Sequence, residues 1–201
     1  MPKIKICGLF RSEDTAFVNE AEPDYTGFVF AKSRRQVSAA EALRLREKLK
    51  DGIIPVGVFV NAPIEEIHAL YRDGVIAAAQ LHGGEDEAYI AALKALCPLP
   101  VIKALRGDAL QGADTGRLRG GADYLLFDGG AGGAGTPFDW SLLDPAGPAL
   151  PWFLAGGITA DNIRDAAAFN PYGIDVSSGA ETRGVKDKDK IIRLVELARH
   201  P

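Results

Sequence analysis

The sequence predicts an α/β fold, a single (β/α)8 barrel over residues 1–201, and three observations carry that expectation. Eight short β-rich runs recur along the 201 residues, with helical segments between most of them. Several runs are apolar without alternation, Ile53-Ile54-Pro55-Val56-Gly57-Val58-Phe59-Val60 most clearly, as strands covered on both faces must be. Strict βα alternation calls for a parallel sheet with helices outside it, and eight units favour a closed TIM-type barrel over an open doubly wound sheet, which usually has about five or six strands.

The expected strands are Lys3–Ile6, Tyr25–Phe30, Pro55–Val60, Ile76–Leu81, Pro100–Ala104, Tyr124–Phe127, Pro151–Leu154 and Gly173–Val176. Ser38-Ala39-Ala40-Glu41 is a capping box that starts a helix running to about Lys50, where Asp51-Gly52 stops it. Ile64, Ile67 and Tyr71 share one face of the next helix, which ends at Asp73-Gly74. Near the C-terminus Ile191, Leu194, Val195 and Ala198 line another helical face. Asp108 to Gly120 carries Gly112 and Gly116, which makes it the weakest helical segment.

Composition narrows the function. Hydrophobic residues are 47% and charged residues 25% of the chain, the balance of a soluble globular domain and not of a disordered one. A net charge of -4 disfavours a general binder of nucleic acid or anionic membrane, so an anionic ligand must be held by a local pocket. No secretory leader or membrane span is expected. Two cysteines, Cys7 and Cys97, outside any CxxC pair suit a reducing compartment, and a cytoplasmic location is expected. The barrel would place them at opposite ends, out of disulfide reach.

In such barrels the chemistry sits at the C-terminal ends of the strands. That rule selects Cys7, the Lys32–Arg35 loop, Asn61, His82, Arg106, Asp128, Gly156-Gly157 and Ser177-Ser178-Gly179. Cys7 is a candidate catalytic residue, with an inert buried thiol as the competing role. Asp128, ending an apolar strand, is partly desolvated, which favours its protonated form and suits an acid; capping or salt-bridging is the alternative. The loops Ala155-Gly156-Gly157-Ile158-Thr159 and Asp175-Val176-Ser177-Ser178-Gly179 fit the phosphate site common after strands seven and eight of this fold, although glycine in either alone could serve only a turn.

Gly130-Ala131-Gly132-Gly133-Ala134-Gly135 matches GxGxxG in form, but it follows strand six and lacks the acidic strand end of a dinucleotide site. A loop able to close over a substrate beside Asp128 is expected there instead. His68, His82 and His200 have no metal-binding spacing, and no metal or cofactor is expected. His82 suits an orienting hydrogen bond. Lys103, within strand five, could point into the barrel.

Taken in order, Lys5-Ile6-Cys7-Gly8, Gly27-Phe28-Val29-Phe30, Val56-Gly57-Val58-Phe59-Val60-Asn61, Gln80-Leu81-His82-Gly83, Val101-Ile102-Lys103-Ala104, Leu125-Leu126-Phe127-Asp128, Gly135-Thr136-Pro137-Phe138-Asp139-Trp140, Leu154-Ala155-Gly156-Gly157 and Asp175-Val176-Ser177-Ser178-Gly179 run almost end to end. Together they resemble the phosphoribosylanthranilate isomerase family of tryptophan biosynthesis. The resemblance implies an Amadori rearrangement of N-(5-phosphoribosyl)anthranilate to 1-(2-carboxyphenylamino)-1-deoxyribulose 5-phosphate. It implies Cys7 as general base and Asp128 as general acid. Arg35 would hold the anthranilate carboxylate, and Gly156, Gly157, Ser177, Ser178 and Gly179 the phosphate. His82 and Asp175 would support them.

Arg34 stands where the family usually has proline. The implied partner is a phosphorylated small molecule, with a monomer or homodimer expected. An ordinary thiol, with a pKa of about 8.5, is only about 3% thiolate at pH 7, so Cys7 should need a lowered pKa from nearby cations or N–H dipoles. The anionic groups of the substrate would oppose that thiolate and favour a protonated Asp128. Indole-3-glycerol-phosphate synthase, whose lysine and glutamate pattern is not evident, and a non-catalytic phosphate-metabolite binder are the competing readings.

Overall fold

The computed structural model describes residues 1–106, 121–129, 140 and 150–200. Eight parallel strands close into a barrel in sequence order: β1 (Lys3–Cys7), β2 (Tyr25–Val29), β3 (Ile54–Phe59), β4 (Ala78–Leu81), β5 (Val101–Arg106), β6 (Tyr124–Asp128), β7 (Trp152–Ala155) and β8 (Gly173–Val176). Closure is made by β8 against β1, where Gly173 to Val176 pair with Lys3 to Ile6. The helices α1 (Ser12–Ala21), α2 (Ala39–Arg46), α3 (Ile64–Arg72), α4 (Glu87–Leu96), α5 (Ile163–Ala168) and α6 (Lys188–Arg199) lie between strands or after the last one. A small antiparallel hairpin, β9 (Glu181–Thr182) and β10 (Val185–Lys186), sits between β8 and α6. Among the described residues no helix is long and apolar enough to cross a membrane.

Alternation along each strand divides the apolar residues between two cores. One lies between barrel and helices, where Ile4, Ile6, Phe28, Phe59, Leu81, Leu125, Phe127 and Leu154 meet helical residues such as Ile67, Leu93 and Leu194. The other fills the barrel, with Val56, Ala78, Ile102, Ala104, Leu126, Phe153 and Ala155. At the N-terminal end the rings of Tyr25, Tyr124, Phe153 and Tyr172 close it, with centroids 5.0–5.8 Å apart. The Tyr25 and Tyr172 hydroxyls meet at 2.9 Å, so these polar tips are satisfied inside the plug.

The expected capping box is present: Ser38 Oγ accepts from the Glu41 amide, and Glu41 Oε2 accepts from the Ser38 amide at 2.8 Å. α2 stops at Arg46 instead of near Lys50, because Lys48 and Leu49 donate to carbonyls three residues back and tighten the last turn. β4 begins at Ala78 instead of Ile76, since the Val75 and Ile76 amides are spent on Leu70 O, closing the end of α3. Ile67 of α3 is buried with Leu70, and Ile191, Leu194, Val195 and Ala198 all face inward from α6, as their spacing predicts. The segment 108–120 lies outside the described residues.

Candidate active site

Cys7 is the last residue of β1 and Asp128 the last of β6, so both stand at the C-terminal rim of the barrel. His82, immediately after β4, brings Nε2 to 3.3 Å from Asp128 Oδ2. Cys7 is buried. Its side chain has room only because residue 27, its register partner on β2, is glycine: a Cβ there would fall 2.6 Å from the Cys7 sulfur. Burial raises the Cys7 thiol pKa above its ordinary value, outweighing the lowering by the Lys5 and Lys186 cations. The lowering expected from sequence therefore does not occur. The cations are in place, but loss of water costs the thiolate more than they return.

Lys5, two residues before Cys7 on the same face of β1, is fully buried at the centre of the barrel. Its Nζ donates to Gln80 Oε1 at 2.8 Å and to Asp175 Oδ1 at 3.0 Å. Burial alone would discharge it, but Asp175 and Cys7 together raise its pKa, so it stays an ammonium. Gln80 Nε2 in turn lies 3.1 Å from His82 Nδ1. Asp175, within β8 as expected, points inward as the partner of Lys5.

Arg35 lies at the rim between β2 and α2, and its Nε and Nη2 form a fork on Glu181 at 2.6 and 3.1 Å. Arg34 reaches the same carboxylate and also donates to Gly184 O at 3.0 Å. Lys186 Nζ is a third cation on Glu181, at 2.8 Å, and donates as well to Ser177 O at 2.9 Å. Burial would push Glu181 up, but Arg35 and Lys186 hold it down at about 2. Three cations on one carboxylate leave this side of the mouth positive. The two arginines differ in burial, with side chains 10% exposed at Arg35 and 51% at Arg34. Arg35's Nη1 lies outside the fork with Glu181.

The loops after β7 and β8 are in contact. Gly156 and Gly157 hold φ of +92° and +65°, and a Cβ at Gly179 would fall 1.9 Å from Ile158 O, so only glycine lets the two backbones touch. Ser178–Ala180 form a short 3-10 turn whose first N–H groups have no partner within it. Ser177 Oγ donates to Cys7 O at 3.3 Å, tying this loop to the end of β1.

Sequence reasoning missed some of these parts. Lys103 does not enter the barrel: it alternates with the inward Ile102 and Ala104, and its Nζ donates to Gly83 O and to Glu85 Oε2 at 2.9 Å. Asn61 belongs to the same brace, its amide donating to Glu85 Oε1 and its Oδ1 accepting from the Gly84 amide. Sequence reasoning did not single out Lys5, Gln80, Glu181 or Lys186, although polar residues such as Lys5 and Gln80 within strands covered on both faces must find partners there. Glu181 and Lys186, in the short hairpin, carry no such signal. The glycine segment 130–135 lies outside the described residues.

A thiol, a carboxylate beside an imidazole, a guanidinium edge and a pair of glycine–serine loops can together bind a doubly anionic molecule and move protons on it. Known proteins are similar to the chain over nearly its whole length. The family model for N-(5'phosphoribosyl)anthranilate (PRA) isomerase matches residues 4–197. The N-(5'-phosphoribosyl)anthranilate isomerase of Endomicrobium trichonymphae is 50% identical over 205 aligned positions, covering 99% of both chains. The phosphoribosyl anthranilate isomerase structure from Thermus thermophilus superposes with a TM-score of 0.88 at 32% identity, over 99% of this chain and all of that one. A phosphoribosyl anthranilate isomerase solved with reduced 1-(o-carboxyphenylamino)-1-deoxyribulose 5-phosphate superposes at 0.83, with 32% identity and full coverage of both chains. With a match this long on a barrel of the same closure, the chain belongs to the N-(5'-phosphoribosyl)anthranilate isomerase family.

Proposed function

We propose that this chain isomerises N-(5'-phosphoribosyl)anthranilate to 1-(2-carboxyphenylamino)-1-deoxyribulose 5-phosphate in tryptophan biosynthesis, with Asp128 as general acid and Cys7 as general base. Asp128 gives its proton to the ribose ring oxygen as the bond from that oxygen to C1 breaks and the anthranilate nitrogen lone pair forms the C1=N iminium. The Cys7 thiolate then takes the C2 proton. The C–H electron pair becomes the C1=C2 bond, and the iminium pair returns to nitrogen. The resulting enolamine gains a proton at C1 and loses one from the C2 hydroxyl, which leaves the ketone.

The observation that carries this assignment is the placement of two proton-handling groups at one rim, on β1 and β6, with His82 against the second. Arg35 holds the anthranilate carboxylate with the edge of its guanidinium that Glu181 leaves over. The Gly156-Gly157 and Ser177-Ser178-Gly179 loops take the phosphate on their backbone N–H groups. Asp175 acts at one remove, through Lys5. The substrate is a phosphorylated small molecule, and the cytoplasm is the expected place of work.

Turnover of freshly made phosphoribosylanthranilate by the purified protein tests the reading. A donor that must be protonated and an acceptor that must not be give a bell-shaped pH dependence of kcat/KM. Because burial raises the Cys7 pKa, only a minor fraction of the enzyme carries the thiolate at neutral pH. No turnover, or a rate flat across the pH range, would set the reading aside.

A further inference from the structure

Across the middle of the barrel a continuous polar line runs from the base to the acid. Cys7 and Lys5 share the inward face of β1. From Lys5 the line passes to Gln80 at 2.8 Å, from Gln80 to His82 at 3.1 Å, and from His82 to Asp128 at 3.3 Å. Asp175 holds the lysine from the other side at 3.0 Å. The direction of each bond follows from donor count. An ammonium has three N–H donors and no acceptor, so the oxygen of the Gln80 amide must face it. The NH2 group of Gln80 therefore faces His82 Nδ1, which must accept. In the neutral imidazole the single ring proton then sits on Nε2, pointing at Asp128 Oδ2.

We propose that Lys5 and Gln80 are positioning residues for the isomerisation: one buried ammonium supplies the countercharge for the Cys7 thiolate and, through the Gln80 amide, fixes the His82 tautomer that presents Nε2–H to Asp128. The proposal rests on the assignment of Cys7 and Asp128 made above. It explains why a lysine sits wholly buried where an apolar residue would fill the barrel at less cost in desolvation. A donor to Oδ2 stabilises Asp128 most after it has released its proton, so the interaction strengthens as the ring oxygen is protonated. The charged groups acting on Cys7 are Lys5 on β1, Asp175 on β8 and Lys186 on β10. Of these Lys5 favours the thiolate most.

The test uses the full chain in a Cys97→Ser background, so that Cys7 is the only thiol. Its titration is followed by thiolate absorbance and by the rate of alkylation with iodoacetamide. Lys5→Met strands the Asp175 carboxylate, so Lys5→Met/Asp175→Asn, which removes both charges, is measured beside it. Loss of the ammonium should move the thiol midpoint up by about 1–3 pH units. At fixed neutral pH both alkylation and kcat should fall at least about tenfold. Part of that kcat should return at higher pH, which a purely structural loss would not allow.

Gln80→Glu keeps an oxygen for Lys5 but offers His82 Nδ1 an acceptor in place of a donor. Nitrogen NMR of His82 should report the Nε2–H tautomer in the parent and a protonated Nδ1 in this variant, with kcat reduced and KM little changed. A Cys7 titration that stays put in both lysine variants, or a parent His82 protonated at Nδ1, would overturn the proposal. Neither readout depends on turnover. If Cys7→Ser stayed active while these measurements came out as expected, the base assignment would fail and the polar line would stand.

Discussion

At the N-terminal end of the barrel Tyr25, Tyr124, Phe153 and Tyr172 close the interior with ring contacts and one hydroxyl pair. At the C-terminal end the strands bring Cys7, His82 and Asp128 to the rim, and beneath them lie Lys5, Gln80 and Asp175. The plug asks nothing of solvent: its surfaces are apolar and its hydroxyls satisfy each other. The mouth keeps a buried thiol, a buried lysine and a carboxylate held by three cations, each of which is costly to desolvate. The difference teaches that stability and chemistry are separated along one axis of the cylinder, so substitutions at the two ends should fail in different ways.

The sharpest form of that comparison sets Asp128→Asn against Phe153→Ala. Asp128→Asn keeps shape but has no proton to give. Turnover should fall by about 10²–10⁴-fold, while the denaturation midpoint barely moves. Phe153→Ala should do the reverse, costing about 3–5 kcal/mol in chemical denaturation with kcat of the folded enzyme near normal. If Phe153→Ala lost turnover at full stability, the separation between the ends would be broken.

Smaller effects sharpen the contrast within the mouth. Arg35→Lys replaces a planar fork by a point charge, and the loss should appear mainly in KM, worth about 1.5–3 kcal/mol. Arg34→Ala should cost less, because that side chain is half exposed. A larger KM defect in Arg34→Ala than in Arg35→Ala would move carboxylate recognition to Arg34. A separate effect is pH-linked. Glu181 titrates at about 2 in the folded chain against an ordinary 4.5, so its contribution to stability is complete above the ordinary value and is lost as pH falls toward 2. Acid denaturation curves of Glu181→Gln should therefore be flatter than those of the parent over that interval.

The strands were legible to within about two residues because apolar runs bounded by glycine, proline and polar residues mark strands buried on both faces. The rim positions of Cys7 and Asp128 were legible because each ends such a run. Lys5 was not, because Lys3-Ile4-Lys5-Ile6 reads as alternation with lysine toward water, whereas closure of the barrel turns that face inward. Lys103 failed in the opposite direction, for the same reason of parity. The hairpin β9–β10 escaped notice since its strands are two residues each. Its turn holds Arg183 and Gly184 both at positive φ, and of the two only Gly184 is a turn signal in the sequence.

One substitution tests the central claim, that the thiol at the end of β1 removes the C2 proton. Cys7→Ser puts a far weaker acid, and so a rarely available base, in the same place with little change in volume. Steady-state turnover of freshly prepared phosphoribosylanthranilate by folded Cys7→Ser should fall by about 10²-fold or more, while Cys97→Ser, altered in the outer core, stays close to the parent. Retention of most of the parent turnover by Cys7→Ser would contradict the account and return Cys7 to the role of a buried packing residue.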